Sequence, residues 1–169
     1  GEREDIIAIY QTGSTTPFTG FIPLQLTTRL ENISGVLANS PEITAPTLLR
    51  GKSVFVRGVI PEEFFKVNSL TILNGETLQL KDTQSTIVGK RLAQSLSLAI
   101  GKKVLVLGAV GDCYIELEIK GIYESNSALD DEAIVPLYVG QWLRGTNYET
   151  VTVIRVKIDK SKLTPRLLY

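Results

Sequence analysis

Serine, lysine and carboxylate groups are what this 169-residue chain offers for chemistry, because it contains no histidine. The commonest general base and the commonest zinc ligand are therefore missing. A serine nucleophile would have to be activated by lysine, and such a dyad requires a buried amine of lowered pKa. Gly51, Lys52 and Ser53 look like the end of a phosphate-binding loop. That loop needs glycine five residues before its final glycine, where this chain has Pro46, and it must open a helix rather than a strand. Nucleotide binding through these residues is excluded.

Carboxylates raise a second possibility. Asp130, Asp131 and Glu132 form an acidic run that could offer oxygens to a hard cation such as Ca²⁺. The run lacks the alternating spacing of an EF-hand, and a solvated loop is the plainer reading. Glu116 and Glu118 fall on one face of a strand as like charges and are expected to face solvent. Cys113 falls on the apolar face of the same strand, which predicts a buried structural thiol; a single cysteine excludes an intrachain disulfide. No residue is assigned to catalysis, to a metal or to a cofactor. Aromatic side chains are the remaining candidates for contact with a partner or substrate: Phe18 and Phe21 in or beside a Thr-, Gly- and Ser-rich loop, and Tyr138, Trp142 and Tyr148 around the last helix. The competing reading places them in the core, Trp142 above all, since it stands at helical spacing from Val139. Asn32, Ile33 and Ser34 make an acceptor sequence for N-glycosylation.

The 18 basic and 18 acidic residues cancel, so the charge balance implies no basic face and no nucleic-acid partner. With 43% hydrophobic residues the chain can bury a core as one domain or as two small subdomains sharing one. Its apolar runs are a few residues long, far below the ~18 that a membrane-spanning helix requires. Methionine is absent, so the chain is expected to be a processed product or an excised piece rather than to start at Gly1.

The elements that must position these groups are clearest at residues 86–107. Thr86, Ile87 and Val88 suit a strand, Gly89 turns the chain, and Leu92, Leu96 and Ala99 recur at i, i+4 and i+7 of a helix. Gly101 is expected to cap that helix, and residues 104–107 form a short apolar strand. Upstream, residues 5–11 read as a strand and 12–20 as a loop. Thr27 or Thr28 is placed to cap a short helix carrying Leu30 and Ile33 and ended by Gly35. Residues 36–50 are extended, with Pro41 and Pro46 predicting an edge strand or a bulged one. Residues 53–60 form a strand, and Pro61, Glu62 and Glu63 open a helix with proline in the first turn and acids at its positive end. Downstream, residues 113–123 alternate with period two and make a hairpin with one wet face. A polar loop at 124–132, a strand at 133–136, a helix ending near Gly145 and a strand at 151–158 complete the chain.

The order of these elements carries a resemblance. A short strand, Gly89, two residues, Leu92-Ala93, a short helix and a Gly101-Lys102 step into an apolar strand resembles the extracytoplasmic core domain of MacB-type and FtsX-type ABC transporter permeases. The same family closes its first short helix on Pro-Gly-Val or similar, where this chain has Ser34, Gly35 and Val36. It then shows a strand ending in Gly-Val before Pro and a Phe-rich turn, matched by Gly58, Val59, Pro61, Phe64 and Phe65. Leu73, Asn74, Gly75 and Leu78 follow its Leu-x-x-Gly-x-x-Leu segment approximately, Ile119, Gly121 and Ile122 its Val-x-Gly-Ile, and residues 133–136 its Val-x-Val-Pro. The resemblance covers nearly the whole chain and is densest from 58 to 136.

What it implies is an α+β fold: a porter-like α/β layer formed by the two terminal segments, 1–60 and 136–169, with a smaller β-rich subdomain inserted at 61–135. It further implies a non-catalytic extracytoplasmic domain held between two membrane helices, with ATP hydrolysed by a separate nucleotide-binding domain or subunit. Expected partners are that ATP-binding subunit through the full-length permease, a second permease subunit, and an extracytoplasmic substrate or adaptor. The loop at 12–20 and the lack of a long helical hairpin depart from the pattern. A secreted or cell-surface hydrolase or accessory binding domain, using a Ser-Lys or carboxylate site, is the alternative. Flanking membrane helices would separate the two.

Overall fold

In this computed structural model the described residues are 4–14, 19–110 and 112–162. Along them run β1 (Glu4–Ile9), β2 (Ile22–Pro23), α1 (Leu26–Glu31), β3 (Val36–Leu49), β4 (Lys52–Val59) and α2 (Pro61–Val67). Next come β5 (Thr71–Gly75), β6 (Ser85–Gly89), α3 (Lys90–Leu96), β7 (Lys103–Gly108) and β8 (Tyr114–Glu124). A 3-10 turn (Ala128–Asp131), β9 (Ala133–Pro136), α4 (Leu137–Arg144), β10 (Thr150–Val151) and β11 (Val153–Asp159) complete the order. The mixed α/β class agrees with expectation.

The long strand β3 organises the sheet. Its prolines predict an edge, yet it lies between β11 and β4. Partner switching reconciles the two. β11 pairs with residues 36–42 of β3 and β4 with residues 42–49, while β7 pairs with residues 47–49. Pro41 therefore has no β4 partner opposite it and Pro46 has neither β11 nor β7, so each imino nitrogen has an unpaired flank to face. β3 does carry a bulge, but near Leu37, where the β11 register slips between Lys157 and Ile158, and not at either proline.

Pairing then closes on itself. β3 pairs with β4, β4 with β9, β9 with β6, β6 with β8, β8 with β7, and β7 returns to β3. Closure leaves these strands without a bare edge. Ala45 and Leu49, Val54 and Val56, Val104 and Val106, Leu117 and Ile119, and Ala133 and Val135 contribute to one buried cluster, which α3 reaches with Leu92 and α4 with Leu143. A second cluster gathers Ile43, Leu137, Ile154 and Val156 on the β11 side, and a third packs Phe64 of α2 against Val59, Ile87, Tyr123 and Ile134. The edge strand β1 pairs antiparallel with β11, Glu4 opposite Asp159.

Several local expectations change. Helix α3 ends at Leu96, because Ser97 adopts a left-handed conformation (φ 52°) and the Leu98 N–H closes back on the Ala93 carbonyl. Leu98 is thereby buried, while Ala99 and Ile100 lie beyond the helix; Gly101 (φ 85°) serves the turn into β7 instead. The strands flanking α3 are not neighbours either, since β8 lies between them, parallel to β6 and antiparallel to β7. Neither threonine caps α1. Gln25 is the cap residue, and the Thr27 hydroxyl donates to the Leu24 carbonyl at 2.8 Å. The two-faced β8 is as expected, with Leu117 and Ile119 buried and Glu116 and Glu118 exposed.

Candidate functional site

Four charged side chains meet on one side of β3 and β4. Arg57 donates from Nη1 to Glu42 Oε1 (2.6 Å), from Nε to Glu132 Oε1 (2.8 Å) and from Nη2 to Glu132 Oε2 (3.1 Å). Arg155 Nε adds a bond to Glu42 Oε1 (3.3 Å), and the Ser40 hydroxyl donates to Glu42 Oε2 (3.3 Å). Strand register puts them there: Arg57 lies opposite Thr44, Glu42 opposite Val153 and Arg155 opposite Ser40, while Glu132 leads into β9. Glu42 is fully buried and the Arg57 side chain is 4% exposed. Burial opposes the guanidinium charge, but Glu42 and Glu132 outweigh it and hold Arg57 above its ordinary value.

The segment after β8 is built around this cluster. The Tyr123 hydroxyl lies 2.6 Å from the Leu129 carbonyl and 3.0 Å from that of Glu132; burial, then the Glu132 charge, pushes the phenol well up. The Asp130 carboxylate is 3% exposed and accepts from the Ser125 N–H (2.6 Å), the Ser125 hydroxyl (2.8 Å) and the Asn126 N–H (3.0 Å). Asp131 lies on the surface and takes a two-pronged bond from Arg91 of α3, both contacts 2.9 Å. The acidic run is thus solvated at Asp131 but not at its two neighbours, a correction with a plain cause: Asp130 closes the turn on backbone donors and Glu132 answers a buried arginine. Among the described residues no group of three or more His, Cys, Asp or Glu is placed to hold a metal. A cavity of about 250 Å³ borders the cluster, lined by Phe64, Asn68, Ser127 and Leu129 as well as Glu42, Arg57, Glu132 and Arg155. Two acids and two bases neutralise one another here, so the arrangement fixes strand against strand.

The residues singled out from the sequence are distributed elsewhere. Phe18 lies outside the described residues. Phe21 is 39% exposed and carries the Arg144 guanidinium over its ring, 5.2 Å from the centroid. Tyr138 and Trp142 stand at i and i+4 of α4 and share a face; the Tyr138 hydroxyl donates to the Leu80 carbonyl at 3.0 Å. Trp142 is 39% exposed, which corrects the core reading, because Leu137, Val139 and Leu143 supply the buried face of α4 instead. Tyr148 is 58% exposed in the loop beyond. Asn32 is exposed at the end of α1, its side-chain amide donating to the Thr28 carbonyl at 3.0 Å. Cys113 is half-buried with Sγ 3.4 Å from the Trp142 carbonyl; burial and the Asp112 charge push its thiol up. Lys52 Nζ comes within 3.5 Å of Ser95 Oγ, but both residues are exposed, whereas a catalytic pair needs a buried amine.

Sequence reasoning passed over Glu42, Arg57 and Arg155, and met Glu132 only as part of the acidic run, not as the partner of a buried arginine. The signal was present as single charges of opposite sign inside strand-forming runs, Glu42 before Ile43 and Arg57 within residues 53–60.

Comparison with known proteins gives a consistent picture. The model of the MacB-like periplasmic core domain matches residues 2–166. The fold is similar to the extracellular domain of the noncanonical ABC-type transporter YknZ from Gram-positive bacteria, at TM-score 0.66 and 17% identity, covering 92% of this chain and 84% of that one. It is also similar to a domain of a protein assigned as a permease from Porphyromonas gingivalis, at TM-score 0.62 and 16% identity, covering 99% of this chain and 79% of that one. No curated protein sequence matches. Among the described residues no helix is long and apolar enough to cross a membrane.

Proposed function

The chain belongs to the family of MacB-like periplasmic core domains, and from that premise we propose that it is a non-catalytic domain on the extracytoplasmic face of a membrane. There it couples the movement of membrane helices in an ABC transporter permease to a substrate or partner. ATP is hydrolysed in a separate nucleotide-binding domain or subunit, and a second permease subunit is the partner within the membrane. The observation that carries this reading is the pairing of Glu4 with Asp159 across β1 and β11. Paired residues on neighbouring strands lie about 5 Å apart, so the first and last strands of the domain present their outer ends side by side. Helices attached there would deliver displacement to one point of the sheet.

Residues 1–60 with 136–169 form the porter-like part in this proposal, and residues 61–135 the inserted one. Arg57 and Glu42 belong to the first and Glu132 to the second, so their ion cluster ties the two parts across the β4–β9 pair. A tied pair moves as one lever, which requires no bond to be made or broken. Phe21, Tyr138, Trp142 and Tyr148 remain proposed contacts for the partner, as does Phe18.

The test uses the full-length protein. Flexible Gly-Ser inserts between each end of the domain and its flanking helix should abolish transport while the domain stays folded and the partner ATPase stays bound. Undiminished transport with both inserts refutes the coupling. Labelling of a cysteine placed at exposed Glu76 by a membrane-impermeant maleimide checks the location, and protection in intact cells would count against it.

A further inference from the structure

Outside the closed ring of strands, β4, β3, β7 and β8 expose a continuous apolar wall. Leu48 pairs directly with Leu107 and Leu107 with Tyr114, so the three form one row across adjacent strands. Leu105 and Phe55 extend it and Val110 borders it; exposures run from 40% for Leu48 and Leu107 to 68% for Tyr114. These side chains present roughly 600 Å² of apolar surface, the upper end for the largest patch on a monomer.

The wall is self-complementary. On one flank of β7, Tyr114 stands out as a knob, the most exposed large hydrophobic side chain of the wall. On the other flank lies an apolar notch of about 270 Å³, lined by Pro46, Leu48, Phe55 and Ala109, with room for an aromatic ring. Strands lie about 4.8 Å apart, so the knob stands one strand from β7 on β8 and the notch one to two strands from it on the other flank, between β3 and β4, within the reach of a tyrosine side chain. A two-fold axis running along β7 between two copies exchanges the flanks, and each Tyr114 then faces the other copy's notch. Isologous contacts have this form, one patch meeting itself. Two copies would remove about 1,200 Å² from water, the lower bound for a specific interface.

We propose that this wall is a homotypic interface in which Tyr114 of each copy seats in the notch beside Leu48 of the other. The proposal deepens the reading in which a second permease subunit is a partner, by naming the surface the two domains share. Its own failure would leave the coupling test on the full-length protein unaffected, and the reverse also holds.

Sedimentation velocity of this chain from roughly 1 μM to 1 mM should show reversible dimers with a dissociation constant in the micromolar to high-micromolar range. Tyr114→Glu and Leu48→Lys should each weaken the dimer at least tenfold without altering the circular dichroism melt. An equimolar mixture of the two variants should dimerise again, because one interface half then pairs Glu with Lys and the other is wild type. Should Leu48→Lys unfold the chain, Ala109→Lys in the exposed loop serves as the basic variant. A chain that stays monomeric throughout overturns the proposal, whether a different protein or the chain's own residues 163–169 cover the wall. So does a dimer that resists both charges, or a mixture that fails to recover.

Discussion

Arg57→Met is the most informative perturbation of the fold. The substitution keeps an apolar stem of similar length but removes every donor to Glu132 and one donor to Glu42. Glu42 retains Arg155 at 3.3 Å, whereas Glu132, itself 8% exposed, loses both of its guanidinium bonds. Breaking a buried pair from one side costs about 3–5 kcal/mol, because a charge is left buried without its partner. A domain of this size shifts its melting point by roughly 2–4 °C for each kcal/mol, so Arg57→Met should melt on the order of 10 °C lower. The double variant Arg57→Met, Glu132→Leu should regain most of that loss, since no orphaned carboxylate remains at residue 132. Calorimetric melts of the wild type, both single variants and the double variant close a thermodynamic cycle. A single-variant loss below about 1 kcal/mol, or a double variant no better than the worse single, would refute the claim that pairing across β4 and β9 holds the parts together.

Three further outcomes are expected. Gly58 and Gly140 let α4 approach β4 so closely that a Cβ on Gly140 would stand 2.6 Å from the Ile43 methyl and 2.7 Å from the Gly58 Cα; Gly140→Ala should therefore cost about 1–3 kcal/mol in urea denaturation, as overpacking does. Burial raises the Asp82 pKa, but the Lys120 ammonium at 2.8 Å and the Gln79 N–H at 2.7 Å outweigh it and hold the carboxyl below its ordinary value. Its stabilising effect is then complete above the unfolded pKa near 4 and lost as pH falls below it, so Asp82→Asn should be less stable than wild type at pH 7 and converge with it in acid melts. Cys113, its thiol pushed up by burial, should react with a disulfide reagent at pH 7.5 about tenfold slower than a cysteine placed at exposed Glu76; an equal rate would contradict the half-buried site.

What could be read from the sequence divides along a physical line. Period-two alternation in β8, proline at the start of α2 and the glycine beyond α4 are local signals, and the elements they predict are present. The end of α3 was misplaced because two residues competed to stop it. Gly101 is the better left-handed former, but stopping at Ser97 lets Leu98 turn into the core, a gain visible only once the strands of the first cluster are assembled. β3 was misplaced for the converse reason: proline speaks about one flank of one residue, and a 14-residue strand can change neighbours between two prolines. The ion cluster was hidden most fully. Its members are separated by up to 113 residues, and a single charge in a strand reads as a solvent-facing one until its partner's register is known.

The same geometry bears on how displacement would travel in the proposed lever. β1 hangs on β11 alone as the sheet edge, and all but its last residue, Ile9, are exposed, so it has little packing of its own to resist a pull. β11 differs: it is hydrogen-bonded on both sides and buries Ile154, Val156 and Ile158 in the second cluster. From β11, load passes to the first half of β3, and there Arg155 and Glu42 bind the two strands by side chain as well as backbone. The second half of β3 belongs to the closed ring, which cannot shear along one ladder without disturbing six. Stiffness should therefore rise from the chain ends toward the ring. Amide hydrogen exchange offers the check: protection should be lowest in β1, intermediate in β11 and highest in β3, β4 and β8. Equal protection of β1 and β4 would mean that the ends are as firmly held as the ring, leaving no compliant segment at the point of entry.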